Sequence, residues 1–220
     1  MTGIAARVAI WDLPIRLFHW LLVGLMAFSW WSGEEHELEL HRTSGYFILA
    51  LIVFRIFWGF AGTRTARFST FVKGPASVAA YTRSLASRSG KPAGGHNPLG
   101  GWSVIAMLLA IGLMVAAGLF AVDVDGWESG PLADYISFDQ GRAAADIHEV
   151  LFKIILALVA LHVAAIAFYR IWKRQNLIGP MILGKGKSDI ANSRVVIWKL
   201  LIGMLIAAAT AYAVSTGFRF

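Results

Sequence analysis

No cysteine occurs anywhere in the 220 residues. That absence excludes disulfides, iron–sulfur ligation and thioether attachment through a C-x-x-C-H motif. Charge is scarce too: 15% of residues are Asp, Glu, Lys or Arg, against 57% hydrophobic. Soluble domains carry about a quarter charged residues, so this is the composition of a membrane protein. Acidic residues are missing altogether between Arg42 and Val122. Long apolar runs stand at 14–32, 43–61, 102–122, 147–170 and 195–215. Each approaches the ~20 residues that a helix needs to span a bilayer. The first run ends in Trp30-Trp31-Ser32 rather than a small-residue cleavage site, so it reads as a retained helix and not a signal peptide.

The net charge of +7 hides a segregation of signs. Arg64, Arg67, Lys73, Arg83, Arg88 and Lys91 share the connection after the second run, and Lys173, Arg174, Lys185, Lys187 and Arg194 follow the fourth. Glu34, Glu35, Glu37 and Glu39 fill the first connection, while Asp123, Asp125, Glu128, Asp134 and Asp139 fill the third. Positive loops stay in the cytoplasm. The expected topology has the N-terminus inside, the acidic loops outside, and the C-terminus of the fifth helix emerging outside. Nucleic acid is a poor partner for basic residues that flank spans. Gly74-Pro75 opens either a short interfacial helix on anionic lipid or an irregular basic loop. His96-Asn97-Pro98 is a helix-start signal, with Asn as cap and Pro in the first turn.

The histidines carry the chemistry. His148 and His162 lie fourteen residues apart on one apolar run, which is about 3.9 turns and ~21 Å of helical rise. They therefore project from nearly one face at two depths. Alternating topology places His41 and His148 near the outer side, and His19 and His162 near the inner side. The expected pairs are His41 with His148 and His19 with His162. Two residues per site, facing each other in a helix bundle, suit the two axial positions of a haem. Without cysteine, such haems are b-type. Packing alone would leave four depth-matched histidines unexplained, and ligands ~21 Å apart cannot share one ion.

Charged residues fit the same plan. Arg55 lies fourteen residues after His41, and a charge at that depth needs a partner such as a haem propionate. Arg16, one turn before His19, is a second candidate at the inner site, and Arg42 is the candidate at the outer one. Lys153 meets a propionate or snorkels to the interface. Gly45, Gly112 and Gly118 either make room for a flat macrocycle or let helices approach. His36 reads as solvated. His96 reads as a helix-start residue, or as a hydrogen-bonding partner for a quinone together with Arg16 and Tyr81.

Several motifs carry a family resemblance. Trp11-Asp12-Leu13-Pro14, Arg16-Leu17-Phe18-His19-Trp20, His41-Arg42-x-x-Gly45-Tyr46, Gly95-His96-Asn97-Pro98-Leu99-Gly100-Gly101-Trp102, and His148-Glu149 with His162 are similar to the bacterial diheme cytochrome b561 and nickel–iron hydrogenase b-type cytochrome group. The resemblance covers roughly residues 8–184. It implies an all-α integral membrane protein with a four-helix, diheme transmembrane domain over 8–184. Residues 185–220 would add a linker and a fifth, C-terminal transmembrane helix. It also implies electron transfer between the quinone pool and a partner on the outer face.

Two histidines per iron leave no open position, which favours electron transfer over oxygen chemistry. Acidic outer loops attract a basic docking surface such as that of a soluble c-type cytochrome. They repel superoxide, which makes a superoxide oxidase an alternative of lower rank. A hydrogenase b-type cytochrome subunit is another alternative, with the same chemistry and a different outer partner. A haem-free membrane anchor or assembly protein is the reading from a different class.

Overall fold

Local caps set where the helices begin. In α1 (Leu13–Glu34) Asp12 Oδ1 accepts the backbone N–H of Ile15 at 2.7 Å. Pro14 sits in the same first turn, where a missing N–H costs nothing. A tight turn with His36 in the left-handed region (φ 60°) leads to α2 (Leu38–Ala61). A one-turn α3 (Phe68–Phe71) and then α4 (Pro75–Ser84) follow, the latter opening at Gly74 with proline at its first position. The basic connection therefore holds a short helix where an irregular loop was the alternative. Asn97 Oδ1 caps α5 (Pro98–Phe120) by accepting the Gly100 N–H at 2.8 Å. A 3-10 turn at Ala133–Tyr135 precedes α6 (Phe138–Ile171). Ser137 and Gln140 form a reciprocal capping box at its start, with bonds of 3.0 and 3.3 Å. The chain closes with α7 (Ile178–Leu183), ended by Gly184 at φ 78°, and α8 (Ile197–Ser215).

This architecture belongs to a computed structural model that describes residues 7–87, 95–187 and 192–219. Arg88 and Lys91 of the basic connection, and residues 188–191 of the link to the last span, lie outside the described residues. Two short strands, β1 (Arg7–Ala9) and β2 (Lys185–Lys187), pair antiparallel with Arg7 opposite Lys187. Nothing in the apolar pattern marks them.

The chain is an all-α membrane protein. Among the described residues, five helices, α1, α2, α5, α6 and α8, are long and apolar enough to cross a bilayer. Their outward side chains belong in hydrocarbon: Phe60 is 72% exposed, Leu161 65% and Leu205 69%. A surface this apolar would not persist in water. The observed α6 begins at Phe138, earlier than the apolar run at 147, because its first turns are polar and held by the capping box.

Contacts divide the chain into two compact units. The first comprises residues 1–17, 56–106 and 158–201, and the second 18–55, 107–157 and 202–220. Trp58, Ala66 and Phe71 are buried in the first. Asp12 organises it: its Oδ2 accepts from Trp58 Nε1 at 3.0 Å and from the Thr63 hydroxyl. Thr65 Oγ1 donates to the Ile10 carbonyl at 2.6 Å. The second unit buries Ile48, Ile52, Ile111, Met114, Val115 and Ile155.

Candidate metal centre and its surroundings

In the second unit, α2 and α6 bring His41 and His148 together, with ring centroids 5.9 Å apart and planes at 74°. Each ring is fixed from behind by a backbone carbonyl. His41 Nδ1–H donates to the Ser29 carbonyl oxygen at 2.8 Å, with the Ser29 hydroxyl at 3.3 Å. His148 Nδ1–H donates to the Met114 carbonyl oxygen at 2.8 Å. A carbonyl can only accept, so both rings carry a proton on Nδ1, and a neutral imidazole held this way offers its Nε2 lone pair. Metal-bound histidines are held this way, the second nitrogen donating to a carbonyl or carboxylate.

The spacing suits a single metal between the rings. With metal–nitrogen bonds of ~2 Å and ~1.2 Å from nitrogen to ring centre, two imidazoles on one ion stand roughly 6 Å apart. Glycines provide the backing. A Cβ at Gly33 would lie 3.1 Å from His41 Nδ1, and one at Gly118 would lie 2.9 Å from His148 Nδ1. At Gly45 a Cβ would meet nothing within 4 Å, and at Gly112 only Ile52 Cγ2 at 3.8 Å. Protein packing demands glycine at Gly118 and not at Gly45.

Several cations of this unit are engaged by carboxylates or carbonyls. Arg42 Nη1 donates to Glu128 Oε2 at 2.6 Å. Lys153 Nζ pairs with Glu149 at 2.6 Å, one turn away on α6. Arg142 Nη1 donates to the Val122 carbonyl at 2.7 Å, and Arg219 Nη2 pairs with Asp134 at 2.6 Å. Arg55 is buried, at 2% exposure. Glu34, Glu35, Glu37 and Glu39 are exposed. Every acidic residue except Asp12 and Asp189 belongs to this unit. His36 stands in its exposed turn, with Nδ1 3.1 Å from the Glu34 carbonyl.

His19 lies on α1 in the second unit, edge-on to Trp20 at 4.8 Å. His162 lies on α6 in the first unit, half-buried. In that unit the Arg16 guanidinium donates to the Ile182 carbonyl. His96 packs between Trp11 and Phe71, each centroid 4.6 Å away. The Tyr81 and Tyr169 hydroxyls lie 2.6 Å apart, and Asn97 Nδ2 donates to Tyr169 Oη at 3.0 Å. Sequence reasoning missed Gly33, Ser29 and Met114. The last two act through backbone oxygens, which any residue type supplies.

Comparison with known proteins agrees with this chemistry. Residues 10–184 match the family described as prokaryotic cytochrome b561. The chain is similar to a probable Ni/Fe-hydrogenase B-type cytochrome subunit of Azotobacter chroococcum mcd 1, 24% identical over 211 residues, covering 80% of this chain and 87% of that one. No solved structure matches. Five bilayer-length helices, a tautomer-locked histidine pair and a match over most of the chain lead to one conclusion: it belongs to the prokaryotic cytochrome b561 family of helical, b-type membrane electron carriers.

Proposed function

We propose that the chain carries electrons across the bacterial inner membrane through two b-type haems, between the quinone pool and a periplasmic redox partner. The observation that carries this reading is the His41–His148 pair, with both Nδ1 protons on carbonyls and 5.9 Å between rings. His41 and His148 are the proposed axial ligands of the outer haem. His19 and His162 are those of the inner one, a pairing that rests on their depths along the spans. Bound haem supplies one-electron chemistry at iron. The chain's part is to occupy both axial positions, exclude other ligands and set the surrounding charge. Arg55 and Arg16 are proposed propionate partners at the inner site. Arg42 remains a candidate at the outer one through the donors that Glu128 does not use. His96, Tyr81 and Arg16 are proposed to face a quinone on the basic side. The core of this machinery is assigned to residues 8–184, with 185–220 as an added linker and helix, the N-terminus cytoplasmic and the C-terminus periplasmic.

Gly118 gives a local check. A valine there would press on the His148 ring, so Gly118→Val is expected to weaken haem retention roughly 10- to 100-fold, the cost of overpacking a tight contact. The same change at Gly45 is expected to leave ring orientation intact, read from the visible spectrum of each purified variant.

The outer partner is proposed to be a basic soluble c-type cytochrome, steered by Glu34, Glu35, Glu37 and Glu39. In vesicles supplied with quinol, electron transfer to such a cytochrome is expected to slow as salt rises. A rate that is flat with salt would remove acidic-loop docking. The similarity to a hydrogenase cytochrome subunit favours a second reading, with hydrogenase subunits as the outer partner. Co-purification of hydrogenase subunits with the tagged chain would select it.

A further inference from the structure

A cavity of about 150 Å³ lies within the first unit, where the end of α2 and the turn after it meet the start of α8. Trp58, Thr63, Arg67, Ser193, Arg194 and Lys199 line it, with no acidic residue in the wall. Among the described residues, none of these three cations forms a salt bridge. Arg67 Nε donates to the Gly62 carbonyl at 2.9 Å, which fixes the guanidinium and leaves its terminal nitrogens to donate elsewhere.

The wall is built rather than incidental. The Arg64 N–H donates to Ser193 Oγ at 2.9 Å, and the Thr65 N–H to Asn192 Oδ1 at 3.1 Å. These bonds fasten the segment before α8 to the turn after α2, and so hold Arg194 and Arg67 around one space. Three like charges there repel unless an anion lies among them. The volume is below the ~300 Å³ at which drug-sized ligand sites begin, but it admits one tetrahedral oxyanion. Ile197, Trp198 and Leu201, each about 60% exposed, extend an apolar surface along α8 from its mouth. Basic pockets between spans on the cytoplasmic side are where acidic lipid headgroups bind.

We propose that this cavity holds the phosphate of an anionic phospholipid, which ties the fifth span to the end of the second. The site joins residues inside the family match (58–67) to residues beyond it (193–199), so it accompanies the added helix. It is independent of haem content.

Native mass spectrometry of the full chain, incubated with equimolar phosphatidylglycerol and phosphatidylcholine, tests the proposal. One retained phosphatidylglycerol is expected, favoured at least about tenfold by the three cations. The variant R67Q/R194Q/K199Q should lose that preference, and the single change R194Q should reduce it. K73Q/R83Q, which removes two cations of the same basic connection, should keep it. Equal retention of both lipids would overturn the proposal. So would undiminished preference in the triple and single variants, or equal loss in the K73Q/R83Q control. Displacement of the lipid by millimolar inorganic phosphate would reassign the cavity to a free oxyanion and overturn the lipid as its occupant.

Discussion

Replacing His148 with alanine is expected to lower haem content from about two per chain to about one, because an axial imidazole is a large part of what holds a b-type haem. The haem that remains should keep its spectrum. The His148 ring is aimed by the Met114 carbonyl and backed by Gly118, and His41 stands opposite it. His41→Ala should remove the same haem. His19→Ala and His162→Ala should each remove the other one. His36→Ala, in an exposed turn, and His96→Ala, between Trp11 and Phe71, should leave both in place. Absorption spectra with haem quantitation of the six variants check the pattern. Loss of the same haem in His148→Ala and His19→Ala would refute the pairing by depth.

Asp12→Ala is expected to destabilise the fold by about 3–5 kcal/mol, with no direct effect on the metal centre. Hydrogen bonds to a charged group contribute about 1.5–3 kcal/mol each, and a helix cap about 1. Asp12 is 8% exposed and accepts from Ile15 N–H, Trp58 Nε1 and Thr63 Oγ1. Its removal strands a buried indole N–H and a hydroxyl as well as uncapping α1. Asp12→Asn should cost less, since its carbonyl oxygen still caps α1 while its NH2 faces two donors. By contrast, Asp134→Ala breaks a pair with Arg219 whose side chains are 72% and 71% exposed, and such pairs contribute at most about 1 kcal/mol. Denaturant unfolding in detergent, followed by circular dichroism, ranks the three. Equal stability of Asp12→Ala and Asp134→Ala would contradict the assigned role.

Much of this was legible in the chain itself, because the bilayer imposes length and apolarity on every span. The five spans and the Asn97-Pro98 cap follow from residue type and spacing. The start of α6 at Phe138 was not evident from hydropathy, since Asp139, Gln140, Arg142 and Asp146 make its first turns polar. Its signal was the Ser137-x-x-Gln140 box. The carbonyls that lock His41 and His148 belong to Ser29 and Met114, 12 and 34 positions away on the helices before them, and a backbone oxygen has no residue signature. The Arg42–Glu128 pair spans 86 positions and depends on how residues 122–132 fold back. Three-residue strands such as β1 and β2 are too short to show alternation.

Two bis-histidine haems in one chain have a stoichiometric signature. Haem-to-protein ratio of the purified full chain, measured with its reduced-minus-oxidised spectrum, tests it most directly. A b-type difference spectrum and a ratio near two are expected, one haem for each proposed pair of histidines. A ratio near one, or no b-type band at all, would contradict it.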